Sequence, residues 1–340
     1  MIAEPFRSQN RLHSAKAITR RSILGGFPAL AAAARRRMMF SDTSRLGRPF
    51  AKDPSVIRFQ GRYLIYYSIP PFGDKRPDDG WAIGIAASRN LVDWEKTGEL
   101  LPSSDYERRG LCAPNCIVLD GQVHMFYQTY GQGPKDAICH AVSPDGIRFR
   151  RNDTNPVFRP AGAWNCGRAI DAEIVEHGGD VLLYSATRDP GFKIQMLVAA
   201  SAGRQSGFVR DAWRQLGDGP MLKPELPWER QCIEAPAVAK HGGRLFLFYA
   251  GAYNNEPQQI GCAVSMDGVH YTRLSDRPFL SNGGPGEWNS SESGHPGILS
   301  DENGRTYLFF QGNSDGGRTY YLSFVEIGWK HDRPYVRTRF

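Results

Sequence analysis

A pattern of two short apolar runs joined by a tight turn recurs five times along the chain. Its anchor residues lie at intervals of 60, 58, 64 and 60 residues and are Pro54, Pro114, Ala172, Pro236 and Pro296. In the first copy, Val, Ile, Tyr and Phe fill Ser55–Phe59 and Tyr63–Tyr67, and Gly61 supplies the turn, which predicts an antiparallel hairpin. Repetition at a fixed period predicts an array of equivalent structural units.

Each unit continues with a third alternating run and an outer segment. Ser143–Gly146 reads Ser-Pro-Asp-Gly and Ser265–Gly268 reads Ser-Met-Asp-Gly, and both are turn signatures between a third and a fourth strand. No helical periodicity persists over three turns after about residue 40. We therefore predict an all-β fold, a five-bladed β-propeller with four antiparallel strands per blade, formed as a single domain by residues 41–340.

The net charge of +7 comes from the first 37 residues, which contain seven Arg, one Lys and one Glu. The rest of the chain is neutral, so we expect no nucleic-acid partner. Thr19–Leu24 resembles a twin-arginine export signal, and the apolar run Ile23–Ala34 is shorter than the roughly 20 residues of a membrane span. We predict that residues 1–40 are an export signal and flexible leader of a periplasmic or secreted bacterial protein, without a membrane contact once the signal is removed. A disordered basic tail is the alternative, and Arg35–Arg37 leave cleavage open.

The six cysteines are too widely spaced for a zinc or thioredoxin motif. Cys139 and Cys262 occupy matching strand contexts, which indicates buried apolar side chains. Cys112, Cys166 and Cys232 each precede a repeat, and after export two of them could form a disulfide whose pairing the sequence leaves open.

The residues that enter the first strands of the blades should converge at one end of the propeller axis. At or beside this position the five repeats carry Asp53, Ala113, Asp171, Glu234 and His295. Turn capping would favour Ser, Thr and Asn as much as Asp. Three acids in one narrow funnel repel one another and resist desolvation, a cost that usually marks a functional site.

These residues resemble the motifs of glycoside hydrolase family 43, and the resemblance covers about residues 48–325. The matching segments are Lys52-Asp53-Pro54, Ala113-Pro114-Asn115, Ile170-Asp171, Ile233-Glu234-Ala235-Pro236 and Gly294-His295. The resemblance implies that Asp53 is the general base, Glu234 the general acid, and Asp171 the residue that raises the pKa of the acid and orients it. It also implies that His295 helps to hold an axial calcium ion or water cluster, and no organic cofactor is expected. Ala172, where many relatives have Pro, is a minor departure.

The geometry expected of the propeller agrees with these roles. Inverting hydrolysis needs a protonated and an ionised carboxyl group about 6.5–9.5 Å apart, with room for water between. Asp53 and Glu234 lie in non-adjacent blades and would face each other across the funnel, with Asp171 in the blade next to Glu234.

Sugar recognition should come from aromatic and hydrogen-bonding side chains around this funnel. We predict substrate contacts from Trp81, Trp288, Asn115, Arg188 and His295. Core packing is an alternative for the tryptophans, as it is for Trp164, Trp228 and Tyr253, and a surface ion pair is the alternative for Arg188.

The sequence thus predicts an inverting glycosidase for oligosaccharides or polysaccharides that contain arabinofuranosyl, xylosyl or related residues. Two alternatives stay open: a retaining β-fructosidase-like hydrolase or transferase, in which Asp53 attacks carbon, and a carbohydrate-binding propeller without catalysis. The sugar, the linkage, exo or endo action and the oligomeric state are left undetermined.

Overall fold

Five four-stranded antiparallel sheets make up the computed structural model, which describes residues 38–74, 76 and 79–338. The predicted export signal lies outside the described residues as far as residue 37, so export stays a prediction. None of the helices in the described part of the chain has the length and apolar character to cross a membrane. The predicted all-β, five-bladed propeller is confirmed.

Each sheet takes its strands from one continuous stretch of chain, in sequence order. The first two blades comprise β1 (Lys52–Phe59), β2 (Arg62–Ile69), β3 (Ala82–Ser88), β4 (Glu95–Leu100), β5 (Leu111–Leu119), β6 (Gln122–Thr129), β7 (Ile138–Ser143) and β8 (Arg150–Arg151). The third and fourth comprise β9 (Ile170–His177), β10 (Asp180–Arg188), β11 (Gln195–Gly203), β12 (Arg214–Leu216), β13 (Ile233–His241), β14 (Arg244–Gly251), β15 (Gln259–Ser265) and β16 (Thr272–Arg273). The fifth comprises β17 (Glu292–Ser300), β18 (Thr306–Asn313), β19 (Tyr321–Lys330) and β20 (Arg333–Thr338). The helical segments within the described ranges are short 3₁₀ turns at Gly133–Lys135, Arg210–Ala212 and Pro227–Glu229.

The innermost strands β1, β5, β9, β13 and β17 form a closed ring, because each contacts the innermost strand of the next blade and β17 contacts β1. The segment before β1 fastens this closure. Phe40 forms a β-bridge with Leu322 of β19, and Ser323 donates a hydrogen bond to the Met38 carbonyl at 2.7 Å. The beginning of the described chain is thereby tied to the last blade, and the five inner strands are held around one axis.

Apolar side chains fill the space between each pair of neighbouring blades. Tyr66 of the first blade and Tyr127 of the second lie in one such cluster and are almost completely buried. Tyr66 also donates a hydrogen bond to the Gly146 carbonyl of the second blade. Tyr184 of the third blade does the same to the Gly268 carbonyl of the fourth. Gly146 and Gly268 belong to the two predicted Ser-x-Asp-Gly turns, so these turns join neighbouring blades as well as consecutive strands.

The six cysteines are all free thiols, five of them buried. The disulfide that the sequence left open among Cys112, Cys166 and Cys232 is therefore not formed. Cys139 and Cys262 are buried in interblade clusters, as their strand contexts indicate.

A histidine pair, of which His140 is buried and His124 partly buried, lies beside the packing between the second and third blades. His124 Nδ1 is 3.0 Å from His140 Nε2, and the Asn152 amide donates to His140 Nδ1 at 3.1 Å. His140 therefore accepts at Nδ1 and donates from Nε2 as a neutral ring. Burial, and then the neighbouring His124 and Arg150 charges, lower the pKa of His140 from 6.5 to about 3.

We expect this histidine to make the fold acid-sensitive. Between pH 6.5 and about 3 the unfolded chain binds a proton at His140 that the folded chain does not, so stability is lost as the pH falls. His140→Gln should flatten the pH dependence of the free energy of unfolding by up to ~1.4 kcal/mol per pH unit. Urea unfolding between pH 7 and pH 4 measures this slope. The exposed-site variant His331→Gln is the control, and equal slopes for wild type and His140→Gln would contradict the prediction.

Candidate active site

A bulge near the start of each innermost strand shapes the site at one end of the axis. In every blade the register against the second strand shifts there, and one residue adopts positive φ. These residues are Asp53, Ala113, Asp171, Ala235 and His295, with φ from 44° to 55°. Two of them are alanines, so the bulge belongs to the propeller itself and the side chain is what varies. Bulges redirect side chains, and here consecutive residues such as Lys52 and Asp53 line the same cavity.

Asp53 is buried and held from two sides. Its backbone N–H donates to Gln311 Oε1 of β18 at 2.9 Å, and its Oδ1 lies 3.1 Å from His295 Nδ1. Burial lowers the pKa of His295 more than the nearby carboxylates raise it, which favours the neutral ring. A neutral ring that donates from Nδ1 fixes the direction of the Asp53 carboxylate.

Glu234 occupies the residue before the bulge of β13, whereas Asp53 and Asp171 occupy the bulge itself. Its Oε1 accepts a hydrogen bond from Gln258 Nε2 at 2.7 Å, and its Oε2 accepts one from Gln195 Nε2. Both glutamines are completely buried, and Gln258 Nε2 also donates to the Ala252 carbonyl at 3.0 Å. The amide groups therefore hold the Glu234 carboxyl group in a fixed orientation.

Asp171 is the carboxyl group with the clearest electrostatic perturbation. Its backbone N–H donates to Gln128 Oε1 at 2.8 Å, the same relation to the preceding blade that Asp53 has with Gln311. Burial, and then the charges of Glu234 and Asp53, raise the pKa of Asp171 well above its usual range. The nearby charges disfavour the ionised form of Asp171, so the protonated form of this carboxyl group is favoured beside Glu234.

The three carboxyl groups line one cavity of about 310 Å³, near the lower end of the range for small-molecule sites. Six of the eight side chains predicted for the site lie along it: Asp53, Asp171, Glu234, His295, Trp81 and Arg188. Trp81 packs edge-on against Phe50 and lies 5.5 Å from the Tyr130 ring, centre to centre. The cavity is thus lined by carboxyl groups, cationic groups and aromatic side chains.

The structure does not bring Asn115 and Trp288 into this cavity. Asn115 lines a separate cavity of about 480 Å³ further along the central channel, where its Nδ2 donates to Glu173 Oε2 at 2.5 Å. Its Oδ1 accepts the Ile174 N–H at 3.0 Å, so the side chain links two inner strands. Trp288 packs against Phe310 and Gly312 in the cluster between the fourth and fifth blades.

The sequence and the fold were compared with known proteins. The model of the family "Glycosyl hydrolases family 43" matches residues 46–332. The chain belongs to glycosyl hydrolase family 43. A solved structure of a thermostable family-43 glycoside hydrolase superimposes with a TM-score of 0.68 at 20% identity, covering 88% of this chain and 96% of the other. The α-L-arabinofuranosidase from Lactobacillus brevis has a TM-score of 0.64 at 17% identity, covering 84% and 94%. These two structures share the fold.

Curated relatives match this family 43 chain over a smaller part of their length. A 1,2-β-oligomannan phosphorylase from a Thermoanaerobacter species is 25% identical over 210 residues, which are 59% of this chain and 64% of the relative. The chain spans less than two thirds of the length of the curated relatives it matches.

Several groups around the family 43 site were not singled out from the sequence. Lys52 appeared only as part of a motif, whereas Arg168, Tyr130, Asn254 and the orienting glutamines were not considered. Gln128 and Gln311 had a detectable signal, because each follows two aromatic residues at the end of a second strand. Gln195 and Gln258 had none, since their contacts with Glu234 depend on how loops and strands pack.

Calcium was expected at the axis of this family 43 propeller, with His295 as a ligand. Among the residues that the structure describes, no three His, Cys, Asp or Glu side chains are placed to hold a metal ion together. Calcium prefers six to eight oxygen ligands, whereas His295 offers only ring nitrogens, of which Nδ1 faces Asp53. These residues do not fit a calcium site formed by protein side chains alone. The axial calcium ion or water cluster beside His295 stays a prediction.

Proposed function

We propose that this protein is an inverting glycosidase in which Asp53 is the general base, Glu234 the general acid and Asp171 the residue that tunes and orients the acid. The observation that carries the proposal is the convergence of three carboxyl groups from three blades in one cavity, each with a distinct environment. Asp53 has a histidine donor, Glu234 has two amide donors, and Asp171 is buried with a raised pKa. Environments that separate carboxyl groups in this way separate their acid and base roles.

In the proposed reaction, Asp53 removes a proton from a water molecule that attacks the anomeric carbon. The bond to the leaving oxygen breaks as Glu234 gives that oxygen a proton, and the sugar is released with inverted configuration. Asp171, whose protonated form is favoured by burial and by the charge of Glu234, tunes and orients the acid. Trp81, Tyr130 and Tyr253 line the same cavity and are the proposed aromatic contacts of the sugar.

For the substrate, we propose oligosaccharides that contain arabinofuranosyl or xylosyl residues. The likeness to the Lactobacillus brevis structure named an α-L-arabinofuranosidase supports this choice. The cavity volume of about 310 Å³ is suited to a short segment of a sugar chain. The name of the Thermoanaerobacter relative adds phosphorolysis as a variant, in which phosphate replaces water.

The deciding experiment is a screen of nitrophenyl arabinofuranosides, xylosides and galactofuranosides, followed by proton NMR of the first anomer released. We expect the anomer opposite in configuration to the substrate. Retention would instead indicate direct attack by Asp53 on carbon, and binding without turnover of any glycoside would indicate a carbohydrate-binding propeller. The assay is run with and without inorganic phosphate, because accumulation of a sugar 1-phosphate would identify phosphorolysis.

A further inference from the structure

Cationic side chains line the cavity beside the carboxyl groups, and the hydrolytic roles proposed above do not use them. They are Lys52, Arg168 and Arg188. Lys52 has neighbours that account for it: its Nζ donates to Asn254 Oδ1 at 2.9 Å and lies 4.9 Å from the centre of the Tyr320 ring. The two arginines differ from Lys52 because they share one hydrogen-bond acceptor.

Arg168 and Arg188 converge on a single neutral oxygen. Arg188 Nε donates to Gln195 Oε1 at 2.8 Å, and Arg168 Nη1 donates to the same atom at 3.2 Å. The two nitrogens are therefore no more than about 6 Å apart. Two guanidinium cations this close repel each other, and a neutral amide oxygen offsets little of that repulsion.

Arg168 has only a long ion pair, and Arg188 has no ion pair among the described residues. Among the described residues, the nearest acid to Arg168 is Asp136, 3.8 Å from Nε, and Arg188 has no Asp or Glu oxygen within 4 Å. Arg168 Nε is buried without a hydrogen bond. Within the same part of the chain, the two Nη atoms of Arg188 make no hydrogen bond, although its guanidinium group lies over the rings of Phe192 and Tyr253. This packing restrains the plane of the guanidinium group and leaves its Nη donors free.

A guanidinium group held in place by aromatic rings, with unused N–H donors, is suited to bind a planar or tetrahedral oxyanion through two hydrogen bonds. We propose that Arg168 and Arg188 form an oxyanion-binding subsite in the cavity, filled by a carboxylate or phosphate group. The anion is either a substituent of the sugar or free inorganic phosphate. The proposal rests on the glycosidase function above, because the subsite is linked to the proton donor Glu234 through Gln195.

A simpler role for the arginines would be to balance the charge of Glu234 and Asp171. They reach Glu234 only through the neutral side chain of Gln195, and direct ion pairs with the carboxyl groups are not formed. The two roles differ in what a substitution changes. Loss of an anion subsite affects charged ligands selectively, whereas loss of charge balance affects every substrate alike.

Calorimetric titration with inorganic phosphate and with glucuronate tests binding directly. We expect the wild-type protein to bind at least one of them, and Arg188→Met to weaken that binding about ten- to a hundredfold. Arg188→Lys should recover part of the loss, because it keeps the charge without the two-pronged donor. Arg148→Met is the control, since the Arg148 side chain is 90% exposed. The proposal is wrong if the wild-type protein binds neither anion, or if Arg188→Met binds as tightly as wild type.

Turnover of 4-nitrophenyl xyloside and glucuronide, which differ only in the carboxylate at C5, identifies the source of the anion. If wild type prefers the glucuronide and Arg188→Met lowers that preference at least tenfold, the bound anion is a sugar carboxylate. If the product is a sugar 1-phosphate, the bound anion is free phosphate. An equal loss on both glycosides, without a phosphate effect, supports charge balance and overturns the subsite. Glu234→Gln separates this proposal from the glycosidase itself: it should lower turnover of a natural sugar linkage about 10²–10⁴-fold and keep anion binding. Undiminished turnover of a natural linkage by Glu234→Gln would contradict the proposed function whatever the anion result.

Discussion

Replacing Asp53 by asparagine is expected to lower kcat by about 10²–10⁴-fold on every glycoside the protein hydrolyses. Asparagine has the same shape and tolerates the positive φ of 55° at this bulge, so the backbone should not change. Its amide oxygen can still accept a hydrogen bond from His295 Nδ1, 3.1 Å from Oδ1 in the native site. What it cannot do is take a proton from water, and the loss should therefore fall on kcat rather than KM.

Steady-state kinetics of Asp53→Asn measure the expected loss of kcat, and thermal unfolding of the same preparation measures whether the fold is kept. The melting temperature should stay close to that of wild type, which separates loss of the base from loss of the fold. Asp218→Asn, at an exposed loop position, is the matched control and should keep wild-type kinetics. A kcat within a few-fold of wild type for Asp53→Asn would rule out Asp53 as the base.

Glu234→Gln is expected to lower turnover by a factor that depends on the leaving group. An oxygen of high basicity, such as a sugar hydroxyl, needs a proton as the bond breaks, so natural linkages should lose about 10²–10⁴-fold. A dinitrophenolate leaves without a proton, and the corresponding aryl glycoside should lose far less. The substitution also places a second N–H₂ group against Gln258 or Gln195, which donate to Glu234 in the native site, so a modest loss of stability is expected.

The measurement is kcat/KM for a series of aryl glycosides with phenols of increasing pKa. In the variant the logarithm of the rate should fall steeply along the series, and in the wild type it should change little. Glu302→Gln, whose side chain is 73% exposed, is the control. The same loss for all leaving groups would mean that Glu234 orients the substrate and does not donate a proton.

Asp53 and Glu234 are proposed to act on opposite sides of the glycosidic bond. A double variant therefore tests whether they act in the same step. If Asp53 and Glu234 act in a single concerted step, the double variant should be little slower than the slower single variant, because each alone already prevents that step. The distinct environments of the two groups, a histidine donor for one and two amide donors for the other, are the structural basis for this division.

Much of the site was accessible from the sequence because the repeat places equivalent residues in register. The anchor prolines gave the intervals, and the residue before each anchor proved to be the positive-φ residue of its blade. In the fourth blade that residue is Ala235, and Glu234 precedes it. The acid therefore enters the cavity from a different backbone position than Asp53 and Asp171.

Predictions for single side chains other than the entrance residues of the repeats were less informative. Asn115 follows an anchor residue and looked like a substrate contact, yet its side chain binds Glu173 and the Ile174 N–H in the channel. Trp288 lies between strands and could have reached the rim, but packing against Phe310 was available closer to the core. Composition and loop position cannot distinguish a substrate contact from a packing role, because the cavity and the protein interior both accommodate an aromatic or amide side chain.

By itself the sequence determined the propeller, its five blades and the three acids at their entrances, because strand periodicity, turn residues and repeat length are local properties of the chain. Only the tertiary structure decided which groups surround those acids. Gln311 reaches the Asp53 N–H across 258 residues of chain, and Gln195 meets Glu234 across 39. Such contacts arise when blades close into a ring, and no local pattern encodes them. The convergence of Arg168 and Arg188 on one oxygen, and with it the proposed anion subsite, is of the same kind.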